Sequence, residues 1–507
     1  TRTKNHLSQD EYIATECEYD YLNRLTLERK VDATGKQICW TAYVYDKQGN
    51  CTTKCTGHAD YDAEVVTRYN TKNEPVEVVD EEGYVTCINY EHTSNNKTTL
   101  KKTTTDALGN HQEEYHDVRG RVTSSKRINA QGTTTAATDF VYSATGKKIK
   151  QVEHVFVDGQ ISREYVIAWE YDALDKVAKL VEQPGTADAK ATLYEYDACG
   201  RTLRIIKPNQ VVLDHTYDAL GRLILLTSSD KSISYEYEYD QNNNPLQVHD
   251  NISGYVTKRA YDDWNRMTED GIQGHFAMHY TYDALGRPTG FEAPDGSAVE
   301  YEYIGAYLSK VRRRSATGDA LYEHAYTNFD LKGRVLESKL IHELGVARFA
   351  WDKKGRNTDI ATGYFRQNIP KHGFDAVGNL REYTFVDITG TVTATASYDD
   401  LYQLVEERGA QEHFYKNDSL HNRLTKDTAE HSIDGCNKVL SDGKAIFSYD
   451  ENGNIIAQQT ADKTIRYGYD ALDRLISVAD GQMVTNYVYD SFNRRIARQT
   501  DITEYFL

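Results

Sequence analysis

An aromatic residue followed by aspartate recurs along this chain about every twenty residues, and no other feature limits the fold as much. "HTYDALGRLIL" carries Tyr217 and Asp218, "YEYEYDQNNNPL" Tyr239 and Asp240, "RAYDDWNRMT" Tyr261 and Asp262, and "YTYDALGRPTG" Tyr282 and Asp283. These aspartates stand 22, 22 and 21 residues apart. The series opens at "EYDYLNRLTL" (Tyr19, Asp20). It reappears near the other end at "GYDALDRLIS" (Tyr469, Asp470) and "VYDSFNRRIA" (Tyr489, Asp490). Phe329–Asp330, Trp351–Asp352 and Phe374–Asp375 are aromatic variants between them. A catalytic site is built once, whereas a unit repeated in phase is scaffold.

Each position in the unit has a physical reading. Apolar or aromatic residues alternate with polar ones before each Asp, the period of a strand with two unlike faces. Tyr suits such a half-buried pleat, with its hydroxyl at the rim. The Asp opens a turn, where its carboxylate can accept backbone N–H groups two or more residues on. Three residues later come Gly221, Asn265, Gly286, Gly333, Gly355, Gly378, Gly453, Asp473 and Asn493, residues that tolerate a left-handed backbone. Four residues after the Asp, Arg predominates: Arg222, Arg266, Arg287, Arg334, Arg356, Arg474 and Arg494, with Asn244, Asn379 and Asn454 as the exceptions. An Arg here can fold back on the carboxylate or reach the next rung. Each unit is thus expected to be strand, tight turn, strand.

Composition agrees. The 507 residues include 39 Tyr but only 7 Pro, and no apolar run approaches a membrane span. With 27% charged and 39% hydrophobic residues, the chain is expected to be soluble and thin-cored. Length alone suggests several domains, but no linker or composition shift interrupts the repeat, so residues 1–507 read as one continuous strip. A net charge of −18 without a basic stripe argues against a nucleic-acid partner. The short basic run "KVRRRS" at 310–315 reads as a solvated turn. Strands of about eight or nine residues would make a ribbon roughly 30 Å wide. Such a sheet accumulates twist and must coil or close, which also limits exposed edges. The expected fold is all-β: a long antiparallel hairpin strip coiled into a curved, hollow wall. The chain starts without methionine and stops inside a unit at "TEYFL", so it reads as one section of a larger shell.

"YDALGRL", with "YDDLYQL", "YDENGNI" and "YDSFNRRI", resembles the YD repeat of the RHS family across essentially the whole chain. That family includes bacterial polymorphic toxins, the B and C components of insecticidal Tc toxins, and the animal teneurins. The resemblance implies a β-cocoon that sequesters a C-terminal toxic polypeptide until a delivery apparatus releases it. Its implied partners are that toxin segment and other shell sections or the delivery apparatus, in an exported bacterial protein made in the cytoplasm. It implies no cofactor and no enzymatic role for the shell. Family members end the shell in an autoproteolytic core segment. The tail "YDSFNRRIARQTDITEYFL" resembles only the lead-in to it, so neither cleavage nor toxicity is carried to any residue here. Teneurin-like sequons occur at Asn50, Asn96 and Asn251.

Competing sites are weaker. "CTTKCTGH" sets Cys51, Cys55 and His58 close together, yet lacks a compact second ligand pair, so buried thiols are the default over zinc. The seven cysteines are an odd count, against a complete disulfide set. His342–Glu343 lacks the second His of a zincin helix. Glu236 and Glu238, on one strand face about 7 Å apart, have a spacing that suits glycoside hydrolysis. The same Tyr/Glu alternation at 194–197 and 301–303 makes them a solvated face instead. A remaining alternative is a surface adhesion or carbohydrate-binding module presenting tyrosine platforms.

Overall fold

The computed structural model describes residues 2–6, 12–31, 35, 37–58, 61–92, 99–305, 307–330, 333–340 and 345–506. Among these residues it contains 47 β-strands and no helix. Period-two patterning rich in Tyr, Thr and Val leaves no helical face to bury, and Gly, Asn or Asp stops each run after a few residues. Strands adjacent in sequence pair antiparallel, so the chain is a succession of hairpins.

In the middle of the chain the rung is narrower than the eight or nine residues expected, which strands such as Tyr12–Tyr19 and Gln37–Tyr45 do have. From Val212–Tyr217 through Leu223–Ser228, Ser234–Tyr239, Pro245–Asp250 and Val256–Tyr261 to Met267–Ile272, every strand has six residues. Six residues span about 20 Å, not 30. The difference goes into the corners. In this stretch the second corner of a rung, which has no aromatic–Asp motif, can take as many residues (for example 229–233) as the corner that has one (218–222). We call these the plain corner and the aspartate corner.

Two compact units result. The first comprises residues 1–134, 282–291 and 295–413; the second comprises 135–281, 292–294 and 414–507. In each, an early and a late run of hairpins meet at their corners. In the second unit this meeting generates the main core: Leu213, Leu226, Ile233, Tyr235 and Val248 of the early run surround Ala471, with Leu472 and Phe492 packed against them. Most residues elsewhere are half-buried. The run at 310–315 is not a turn. It lies largely in strand Tyr307–Arg314, where Arg312 is ion-paired to Glu300, Glu302 and Glu323 and Arg314 to Glu300 on the flanking strands.

Candidate functional site

The aspartate corner is the recurring constellation, and Asp218 shows how it is built. The Gly221 N–H donates to Asp218 O, closing a four-residue turn, and the Asp218 N–H donates to Arg222 O (3.0 and 2.9 Å). Gly221 between them has φ +85°, and the pairing register slips by one residue between Thr216 and Tyr217, as in a glycine-type bulge. The Leu220 and Arg222 N–H groups donate to Asp218 Oδ1 (2.9 and 2.8 Å), leaving Oδ2 for Arg222 Nε at 2.6 Å. One carboxylate thus satisfies two backbone donors and a guanidinium.

The same pattern holds at the other singled-out corners. Arg24, Arg266, Arg287, Arg474 and Arg494 each place Nε 2.6–2.7 Å from the carboxylate of Asp20, Asp262, Asp283, Asp470 and Asp490. At Asp240 the Asn244 side-chain amide substitutes at 2.8 Å. Gly286 has φ +80°, and Asn265, Asp473 and Asn493 are also left-handed. Donation from the backbone of Arg24 and Arg222 holds the carboxyls of Asp20 and Asp218 below the ordinary range.

The aromatic residue links one corner to the next. Tyr239 OH donates to Leu223 O at 2.7 Å, while the Arg222 guanidinium lies 4.9 Å over the Tyr239 ring and its Nη1 donates to Asp240 O. Tyr217 and Tyr261 reach Thr202 O and Pro245 O in the same way. In the late run the Arg474 guanidinium lies over Tyr489 and bonds Asp490 O, while Tyr469 is held between corners 450 and 470 with its hydroxyl pKa raised by burial. Trp351 solves the problem with different chemistry, its indole N–H donating to Val335 O at 2.9 Å. Tyr19 and Tyr282 precede their corners in the same position, Tyr19 being about half exposed.

Sequence reading missed a second arrangement, a seam in which aspartate corners of the late run rest on plain corners of the early run. In the second unit Ser419 N–H donates to Phe156 O, and Arg163 pairs with Asp418 at 3.0 Å. Further along, Gln183 donates to Gly435 O and Lys207 Nζ pairs with Asp473 at 2.6 Å. Arg474 donates to Tyr235 OH at 2.6 Å, and Arg494 is ion-paired to the buried Asp270. The first unit has its own seam, where Lys354 meets Asp80 at 2.7 Å and Tyr402 OH bonds Asp106. Tyr402 occupies the left-handed position at φ +66°, where a side chain larger than Asn costs backbone energy. With His421, which stands at the same position of the Asp418 corner at φ +65°, that misplaced tyrosine was the sequence signal for the seam.

The other candidates do not assemble. Glu236 and Glu238 are exposed on the face opposite Tyr235 and Tyr237, with Glu238 beside Gln247 and His249. Cys51 and Cys55 lie in strand Cys51–His58, but the His58 side chain is outside the described residues, as are Asn96, His342 and Glu343. Among the described residues no group of three or more His, Cys, Asp or Glu converges in metal-binding geometry. No described helix is long and apolar enough to cross a membrane, which says nothing of barrels.

A strip of hairpins stapled at Asp–Arg corners defines a class of repeat architecture, and known proteins carry one like it. Residues 449–482 match the family model described as RHS repeat. The double-stranded DNA deaminase toxin A of Burkholderia cenocepacia (strain H111) is 25% identical over 415 residues, 78% of this chain and 26% of that protein. The crystal structure of TcdB2–TccC3–Cdc42 superposes with a TM-score of 0.71 at 11% identity, covering 99% of this chain and 32% of that one. The Photorhabdus luminescens Tc holotoxin pore gives 0.55 at 12% identity, over 96% of this chain and 30% of that one. Residues 449–482 thus carry an RHS repeat, the chain shares the fold of these Tc toxin structures, and it spans about a quarter to a third of the length of these relatives.

Proposed function

We propose that this chain is a wall section of a toxin shell, with no chemistry of its own, that sequesters a C-terminal toxic polypeptide until delivery. The observation that carries this reading is the fold likeness to TcdB2–TccC3–Cdc42 across 99% of the chain. The relative named as a deaminase toxin, of which this chain spans 26%, supports the same role. The mechanism is exclusion. Corners stapled at every rung and sealed at seams leave a wall that keeps proteases and targets from what lies behind it, and a narrow lumen disfavours folding of the cargo. The protein is accordingly read as exported from a bacterium, with the delivery apparatus and further shell sections as partners.

The adhesion reading is less well supported, because tyrosines such as Tyr217 and Tyr239 spend their hydroxyls on carbonyls and their ring faces on guanidinium groups. Limited proteolysis of the full-length polypeptide tests the proposal. Its C-terminal segment should resist cleavage far longer than the same segment expressed alone, and equal susceptibility would sink the shell reading.

A further inference from the structure

We propose that Asn452–Gly453 is a self-modifying site: the mated seam holds it inert, and in a late run that has not seated it deamidates and bars later seating. The inference rests on the seam and the turn chemistry, and not on any cargo. Asn–Gly occurs once in the 507 residues. Two separate demands bring it about. The corner opened by Asp450 needs Gly at its left-handed position, where Gly453 has φ +99°. The seam uses the residue before it, because Asn452 Oδ1 accepts the Asn209 N–H of an early plain corner at 3.1 Å. In other corners Leu220, Leu285 and Val377 precede the same glycine and carry no amide.

Asn–Gly is the pair most open to attack from within, since no Cβ shields the glycine nitrogen. That nitrogen adds to Asn452 Cγ, its proton and the side-chain NH2 leave together as ammonia, and a succinimide ring forms. Water then opens the ring at either carbonyl. One product is aspartate; the other is isoaspartate, with the main chain rerouted through Cγ. The mated corner opposes the first step. The Gly453 N–H is held by Asp450 Oδ1 at 2.9 Å, and the Asn452 amide is fixed at both ends, by Asn209 and by donation to Asp473 Oδ1 at 3.0 Å. While the seam is closed, Cγ is kept from turning onto the nitrogen. Either product damages the fit. Aspartate sets a carboxylate where an amide donated to Asp473, the partner of Lys207. Isoaspartate lengthens the main chain inside the turn and carries the Gly453 and Asn454 N–H groups off Asp450. A chain slow to mate is thereby marked and excluded from mating.

Peptide mapping by mass spectrometry tests this on the folded chain, aged at neutral pH beside a synthetic peptide of residues 448–456. The folded chain should lose the Asn452 amide more than about tenfold more slowly than the peptide. Ala471, 2% exposed, sits in the core cluster on which the late run seats. Ala471→Arg should therefore open the seam and bring conversion at residue 452 close to the rate of the peptide. If that variant loses its far-ultraviolet strand signal, Ala471→Leu replaces it. Asn452→Asp carries the aspartate product from synthesis, and its Asn209 N–H should exchange with deuterium faster than in the parent. Conversion of the folded parent at the rate of the peptide, an opened seam that keeps the amide as long as the parent does, or unchanged protection of the Asn209 N–H in Asn452→Asp would each overturn the proposal.

Discussion

Corners 218–222 and 470–474 make the same bonds in different surroundings. Each Asp accepts two backbone N–H groups, and each Arg sits 2.6–2.7 Å from its carboxylate. The Asp218 side chain is 20% exposed and that of Asp470 3%, while Arg474 gains Tyr235 OH across the seam. Corner geometry is therefore local, set within five residues. What the seam adds is burial, and burial changes what the same bonds are worth. A solvated Asp–Arg pair contributes little, whereas removing one partner of a buried pair leaves a charge without compensation.

Acid is expected to act on the open corners as a group and to have the largest effect. The carboxyls of Asp20, Asp197 and Asp218 titrate below their unfolded value, chiefly because the backbone of the Arg four residues on donates to them. A depressed folded value means their contribution is complete above about pH 4 and is lost as pH falls through the lower folded values. Strand signal followed by circular dichroism should hold at pH 5 and collapse well below pH 4. Loss centred above pH 5 would remove the corner carboxylates as its cause.

Single substitutions then separate the two settings. Asp470→Ala should lower unfolding free energy by about 3–5 kcal/mol, because Arg474 stays buried without its carboxylate. Asp218→Ala should fall well short of that in the same denaturant titration. Equal effects would mean the seam adds nothing. Gly221→Val should cost about 1–2 kcal/mol from the left-handed backbone, and Gly221→Asn much less, as Asn265 and Asn493 already occupy that position. Tyr239→Phe should have the smallest effect, about 1 kcal/mol, since it removes the bond to Leu223 O and keeps the ring under Arg222.

The local half of this structure was legible in the amino-acid order. The aromatic–Asp spacing, the Gly or Asn three residues on and the Arg after it state the turn chemistry directly, since every contact lies within one rung. Corners that replace Asp with Asn70, Asn129 or Ser143 make similar turns without announcing them. The plain corners lack the aromatic residue before the turn, although Asp80 and Asp106 open turns there, and this hid their length and the narrowness of the central rungs. The seam was invisible for a different reason. Lys207 and Asp473 are ordinary surface residues in their own rungs, and nothing periodic links positions 224 or more residues apart. Tyr402 and His421, bulky residues at a site made for Gly, departed from the local rule, and burial of Tyr402 against its remote partner raises its hydroxyl pKa to about 12.

The seam makes this strip a counting device. Deleting one whole rung from the early run would leave every remaining corner chemically intact, yet it would present each late corner to the wrong plain corner. Lys207 would lose Asp473, and Asp270 would lose Arg494. Variation in such a chain is therefore cheap when it exchanges residues within a rung and costly when it changes the number of rungs between mated corners.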